Sequence, residues 1–135
     1  MNDQQPAPLD RLVESFATRW LELGQTDATT DLVADPILVL GPAGTAPVPL
    51  ATFLAVIASR AKAVTESAQP VTTVLAGCTA RALGERMVIA TIRWNFEHGD
   101  STNELISDFL LQRNVDGGLR CVAYLPRTNV TELLT

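Results

Sequence analysis

The sequence predicts an α+β fold in which helices gather on one face of a curved antiparallel sheet. Two observations predict it. Up to about residue 65 apolar residues recur mostly at three- and four-residue spacings, whereas from Pro70 onward they alternate with a period of two. The alternating segments are separated only by "GE", "GD" and "VDGG". Connections that short join antiparallel neighbours.

"APLDRLVESFATRWLELG" is read as a first helix. Leu9, Leu12, Val13, Phe16, Trp20 and Leu23 form one stripe, and Gly24 stands where a helix stops. "TDATTDLVAD" is read as a short second helix capped by Thr26 or Asp27. Pro36 disfavours helix at Asp35 and opens an extended segment. "PILVLG" is a short strand, apolar on both faces and so expected to be buried on both. "GPAGTAPVP" is a turn-rich loop. "LATFLAVIASRAKAV" is a third helix with Leu50, Phe53, Leu54, Ile57 and Ala61 as its stripe. "PVTTVLAGCTARAL", "RMVIATIRWNFEH", "STNELISDFLLQRN" and "LRCVAYLP" are four strands of a meander.

Composition bounds the function. The 135 residues suit a single domain, and 47% apolar with 19% charged residues is a globular balance. Fifteen acidic residues against ten basic ones give a net charge of −5, with no basic run. Nucleic acid binding needs clustered Lys and Arg, so it is not expected. Cys78 and Cys121 lack zinc-ligand spacing and are expected to be small buried thiols. The polar start "MNDQQPAPLDR" is unlike a signal peptide, and no apolar run approaches the roughly 20 residues that span a bilayer. A cytoplasmic protein with no membrane partner is the expectation. No H-x-H, H-E-x-x-H, G-x-S-x-G or phosphate-loop pattern occurs, so no metal or other cofactor is expected.

The order strand, "GPAG", helix, preceded by an aromatic-bearing helix and followed by a meander with "QRNVDGG", resembles the nuclear transport factor 2-like superfamily. Its small bacterial members include polyketide-cyclase-like and ketosteroid-isomerase-like proteins. The resemblance covers residues 8–126 of one domain spanning 1–135. It implies a cystatin-like cone, a curved sheet packed on about three N-terminal helices, with an internal pocket and homodimerisation through the outer sheet face. The sequence departs from the catalytic members. The first helix carries Phe16 and Trp20 where ketosteroid-isomerase-like sites have a Tyr, and "RWN" (Arg93-Trp94-Asn95) has Asn where an epoxide-hydrolase-like site needs an acid. Asn cannot act as a general base.

If Gly99-Asp100 is a two-residue hairpin, His98 faces Ser101, Asn95 faces Glu104, Arg93 faces Ile106 and Thr91 faces Asp108. One face then carries Val88, Ala90, Ile92, Trp94 and Phe96 with Asn103, Leu105, Ser107, Phe109 and Leu111. This is the face expected to meet the helices. Trp20, Phe53, Trp94, Phe96, Asn103, Ser107 and Tyr124 are therefore the candidate ligand-binding residues. Their plainer reading is core, with the polar groups satisfied internally. Met87, Ile89, Ile106 and Leu110 share the other face with Arg93, Glu104 and Asp108, a mixture suited to a dimer interface. Asp35 is the candidate catalytic base, with a capping or solvated role as its plainer reading. Arg93 and Asp108 are the reserve pair if the second face lines the pocket. His98 is read as a solvated turn residue. Two functions stay open: a binder of a small apolar molecule, extending to a cofactor-free isomerase, cyclase or dehydratase, or a non-catalytic dimeric interaction or assembly module.

Overall fold

A computed structural model describes residues 8–22, 30–41, 44–66 and 71–127. Helix α1 spans Pro8–Trp20 and helix α2 Leu50–Thr65. Six strands, β1 Val33–Gly41, β2 Gly44–Val48, β3 Val71–Leu83, β4 Met87–His98, β5 Ser101–Arg113 and β6 Leu119–Pro126, form one open sheet in the order β2-β1-β6-β5-β4-β3. The four-stranded meander is as the alternation predicts. β1 joins it by pairing parallel to β6, and β2 folds back antiparallel on β1.

The register follows from turn chemistry. Gly99 has φ 62°, the left-handed value that the first position of a tight hairpin turn of this kind demands. It sets His98 opposite Ser101, Asn95 opposite Glu104, Arg93 opposite Ile106 and Thr91 opposite Asp108, as expected. Burial alternates accordingly. Val88, Ala90, Ile92, Trp94, Phe96, Leu105, Ser107, Phe109 and Leu111 are buried beneath the helices, while Ile89, Arg93, Asn95 and Glu104 are exposed. Val13, Phe16, Ala17 and Trp20 of α1 and Phe53 of α2 close the core over this concave face.

Four expectations are corrected. The chain has two α-helices among the described residues rather than about three. The described part of the expected second helix is a 3₁₀ turn at Thr30–Leu32, followed by strand from Val33. Parallel pairing of Val33 with Cys121 takes residues that local propensity had left to a helix. The proposed caps Thr26 and Asp27, and the stop at Gly24, lie outside the described residues. The turn-rich loop contains β2, with Pro47 on an edge strand where a missing N–H is tolerated. Finally, β1 is buried on one face only: Ile37 is inaccessible, but Leu38 is exposed on the convex side, where it lies beside Ala123.

The edge strand β3 is long and carries a bulge between Leu75 and Gly77. Such a bulge twists an edge and interrupts its use as a template for further pairing.

Candidate functional site

The concave face has two parts. The first is a knot of aromatic rings. Trp20 lies 4.8 Å from Phe109, 5.1 Å from Tyr124, 5.6 Å from Phe16 and 5.9 Å from Phe53, centroid to centroid. Phe109 in turn stacks on Tyr124 at 5.3 Å and meets Phe16 edge-on at 5.3 Å. The sequence explains the meeting. Phe16 and Trp20 are one helical turn apart on α1, and Phe109 and Tyr124 are cross-strand partners on β5 and β6. Of the seven candidate ligand contacts, Trp20, Phe53 and Tyr124 fall in this knot. Phe16 and Phe109, which complete it, were read from their stripe and face only as core.

The second part runs toward the β4–β5 turn. Trp94 pairs with Leu105 and Phe96 with Asn103, and Ser107 follows on the same face of β5 opposite Ile92. Trp94, Phe96, Leu105 and Ser107 are buried and Asn103 is half-buried. His98 belongs to this side too, with its ring 6.5 Å from that of Phe96. Its alternation with Trp94 and Phe96 was available in the sequence, but the "EHGD" turn pointed to solvent.

Asp35 stands apart from both parts. It is exposed, and its Oδ1 accepts a hydrogen bond at 3.0 Å from the Leu50 N–H, the first residue of α2. It thus serves one of the orphan donors at that helix's N-terminus from fifteen residues away. Every described Asp and Glu is exposed except Asp108, which is half-buried on the convex face. Asp31 is held by Arg19 at 2.8 Å, tying the end of α1 to the 3₁₀ turn. That hydrogen bond, opposed by slight burial and helped by the Arg19 charge, keeps the Asp31 carboxyl below its ordinary range.

The reserve pair is divided. Asp108 is not held by Arg93 but by Arg127, through Nε–Oδ2 at 2.6 Å and Nη2–Oδ1 at 3.0 Å, and by the Thr91 hydroxyl at 2.6 Å. Burial pushes the Asp108 carboxyl up, but the bonds from Arg127 and Thr91 with the Arg127 charge outweigh it, and the net shift is downward. Arg93 instead lies across Gly77, so close that a Cβ there would sit 2.5 Å from its Nη2. Arg127 was not singled out from the sequence. The pairing of Ser107 with Pro126 is what carries it beside Asp108.

The two thiols are poor nucleophiles. Burial pushes Cys121 far up, and Cys78 is raised by burial and by Glu14 and Asp10, against a smaller opposing pull from Arg93. Among the described residues no group of three or more His, Cys, Asp or Glu is placed to hold a metal ion, and no helix is long and apolar enough to cross a membrane.

No protein-family model matches the chain, and no curated protein matches it in sequence. Solved structures do match it in fold. A nuclear transport factor 2-like protein of unknown function from Pseudomonas putida superposes with a TM-score of 0.65 at 14% identity, covering 92% of this chain and 89% of that one. A nuclear transport factor 2-like protein with a cystatin-like fold from Novosphingobium aromaticivorans gives 0.63 at 14%, covering 93% and 85%. A protein provisionally assigned as a ketosteroid isomerase from Shewanella frigidimarina gives 0.62 at 11%, covering 86% and 91%. These superpositions, with the element order, show that the chain has the nuclear transport factor 2-like, cystatin-like fold.

Proposed function

We propose that this protein binds a small, mainly apolar molecule on the part of the concave face formed by Trp94, Phe96 and Leu105, with Asn103 and Ser107 as its polar contacts. One observation carries the reading: this stretch combines aromatic and aliphatic walls with a few polar groups on alternate residues of β5, the usual makeup of a small-molecule site. Trp20, Phe53 and Tyr124 belong to the aromatic knot on the same concave face. Described carboxylates are exposed or on the other face, so binding is favoured over base catalysis. The isomerase, cyclase or dehydratase extension would draw its proton transfer from Tyr124, His98 or Asp35, the last only by releasing Leu50. The test is titration of the purified protein with a sterol, a long-chain fatty alcohol and an anilinonaphthalene dye, read by Trp fluorescence in a Trp20→Phe background that isolates Trp94. Saturable binding weakened by Phe96→Ala and Asn103→Ala is expected. Absence of saturable binding to any probe defeats the reading.

A second reading, a homodimeric interaction module, is favoured by the convex face. Five of the described exposed large apolar residues, Leu38, Val74, Leu83, Ile89 and Leu125, lie there. Exposed apolar surface gathered on one face marks an association site. Sedimentation of wild type and of Ile89→Asp tests it: a micromolar dimer that the substitution dissociates is expected.

A further inference from the structure

Two nearly buried donors on the concave face have no acceptor. Trp94 is 4% and Ser107 7% exposed, yet neither side chain makes a hydrogen bond among the described residues. Neither polar atom is sealed in, because the one fully enclosed side-chain N or O without a partner among those residues is Arg120 Nε. The Trp94 Nε1–H and the Ser107 hydroxyl therefore open onto an otherwise buried surface, within reach of a small molecule. The register explains their meeting. Trp94 stands opposite Leu105, and Asn103 and Ser107 lie two residues to either side of Leu105 on the same face of β5. Each is thus a diagonal neighbour of Trp94 at about 7–8 Å, a separation that an indole spans.

The charges of the molecule are elsewhere. Every Arg and Lys whose side chain is described is exposed, except Arg19, which is bound to Asp31, and Arg120, which stands opposite Gln112 on the convex face. The described carboxylates are exposed or, in Asp108, convex. His98 is on the concave side, but in the Ser101 row, about 20 Å of strand from Ser107. A charged group seated beside Trp94 and Ser107 would lose its water and gain no opposite charge, which is strongly unfavourable. An indole N–H can only donate, and a serine hydroxyl can donate alongside it. We infer that the ligand is uncharged and carries an oxygen acceptor, a ketone or ester carbonyl, which receives hydrogen bonds from Trp94 Nε1 and Ser107 Oγ while its hydrocarbon part lies against Phe96 and Leu105. This rests on the binding reading above and adds the chemical class of the ligand. It makes Trp94 a specificity residue as well as a wall.

The experiment separates the two levels. Uptake of phenylnaphthylamine, a neutral dye with no oxygen acceptor, is measured first by its fluorescence, and absence of saturable uptake overturns both. Given uptake, methyl hexyl ketone, octanoate and octylammonium are compared as displacers at about pH 8, above the ordinary histidine range. The ketone is expected to displace the dye at the lowest concentration. Displacement by octanoate or octylammonium at an equal or lower concentration overturns the chemical class while leaving binding standing. Trp94→Phe, which keeps a ring and removes the N–H, and Ser107→Ala are each expected to weaken the ketone about five-fold more than they weaken the dye. Equal losses for ketone and dye overturn the donor roles. If a variant does not fold, the infrared carbonyl stretch of the ketone bound to wild type decides. A stretch below its position in an alkane is expected, and an alkane-like stretch overturns the inference.

Discussion

The two faces of one sheet are built from alternate residues of the same strands, yet they are held by different physics. On the concave side Trp20, Phe109 and Tyr124 are interlocked with Phe16 and Phe53, and each ring is fixed by others from a different element. On the convex side Ile89, Leu38 and Leu125 are partly in water, and order comes from the Asp108–Arg127–Thr91 contacts. The difference teaches that the fold's stability is concentrated on one face, leaving the other free to vary.

The largest effect that sharpens this contrast is Trp20→Ala. It removes four ring contacts from a buried knot and is expected to cost about 3–5 kcal/mol in urea denaturation. Ile89→Ala on the 37%-exposed convex side is expected to cost the folded chain no more than about 1 kcal/mol, and equal losses would break the contrast. Asp35→Ala removes the acceptor of the Leu50 N–H and is expected to cost about 1 kcal/mol, with loss of helical circular dichroism at the start of unfolding.

A comparable effect belongs to the convex face. The folded-state pKa of Asp108 lies below its unfolded value, so its contribution is fully present above the unfolded value of about 3.9 and is lost as pH falls through the folded one. Thr91→Val, which deletes one of its hydrogen bonds, is expected to cost about 1 kcal/mol at neutral pH and to shrink this acid-side loss, as measured by denaturation at stepped pH. The smallest effect is Gly77→Ala. The new methyl displaces only the far end of Arg93, and the stiffer unfolded chain offsets that, so stability is expected to stay within about 0.5 kcal/mol. A large loss would show that Arg93 anchors the convex face.

Sequence patterning revealed the meander, its hairpin register and the aromatic concave wall because each rests on near neighbours: Gly99 fixes a turn, and the turn fixes every pair beyond it. It missed what distant partners decide. Val33 is extended because Cys121 lies beside it, Gly44–Val48 is a strand because β1 offers it an edge, and no local signal overrides their Pro and Gly neighbours. The same holds at the site. Trp94, Phe96, Asn103 and Ser107 were placed by alternation alone, whereas the bond of Asp35 to Leu50 and that of Arg127 to Asp108 join residues fifteen and nineteen apart.

Strand β5 carries a consequence for how such a chain changes over time. Residues 105, 107, 109 and 111 are buried under the helices, and 104, 106, 108 and 110 lie on the opposite surface. Two texts are interleaved in thirteen residues, each free to be rewritten without disturbing the other by substitution. Loss of a single residue within it would exchange them, placing Asp108 where an aromatic ring belongs. Lineages of this chain should therefore diverge at odd and even positions of β5 at independent rates, and should tolerate length changes only beyond the strand's ends.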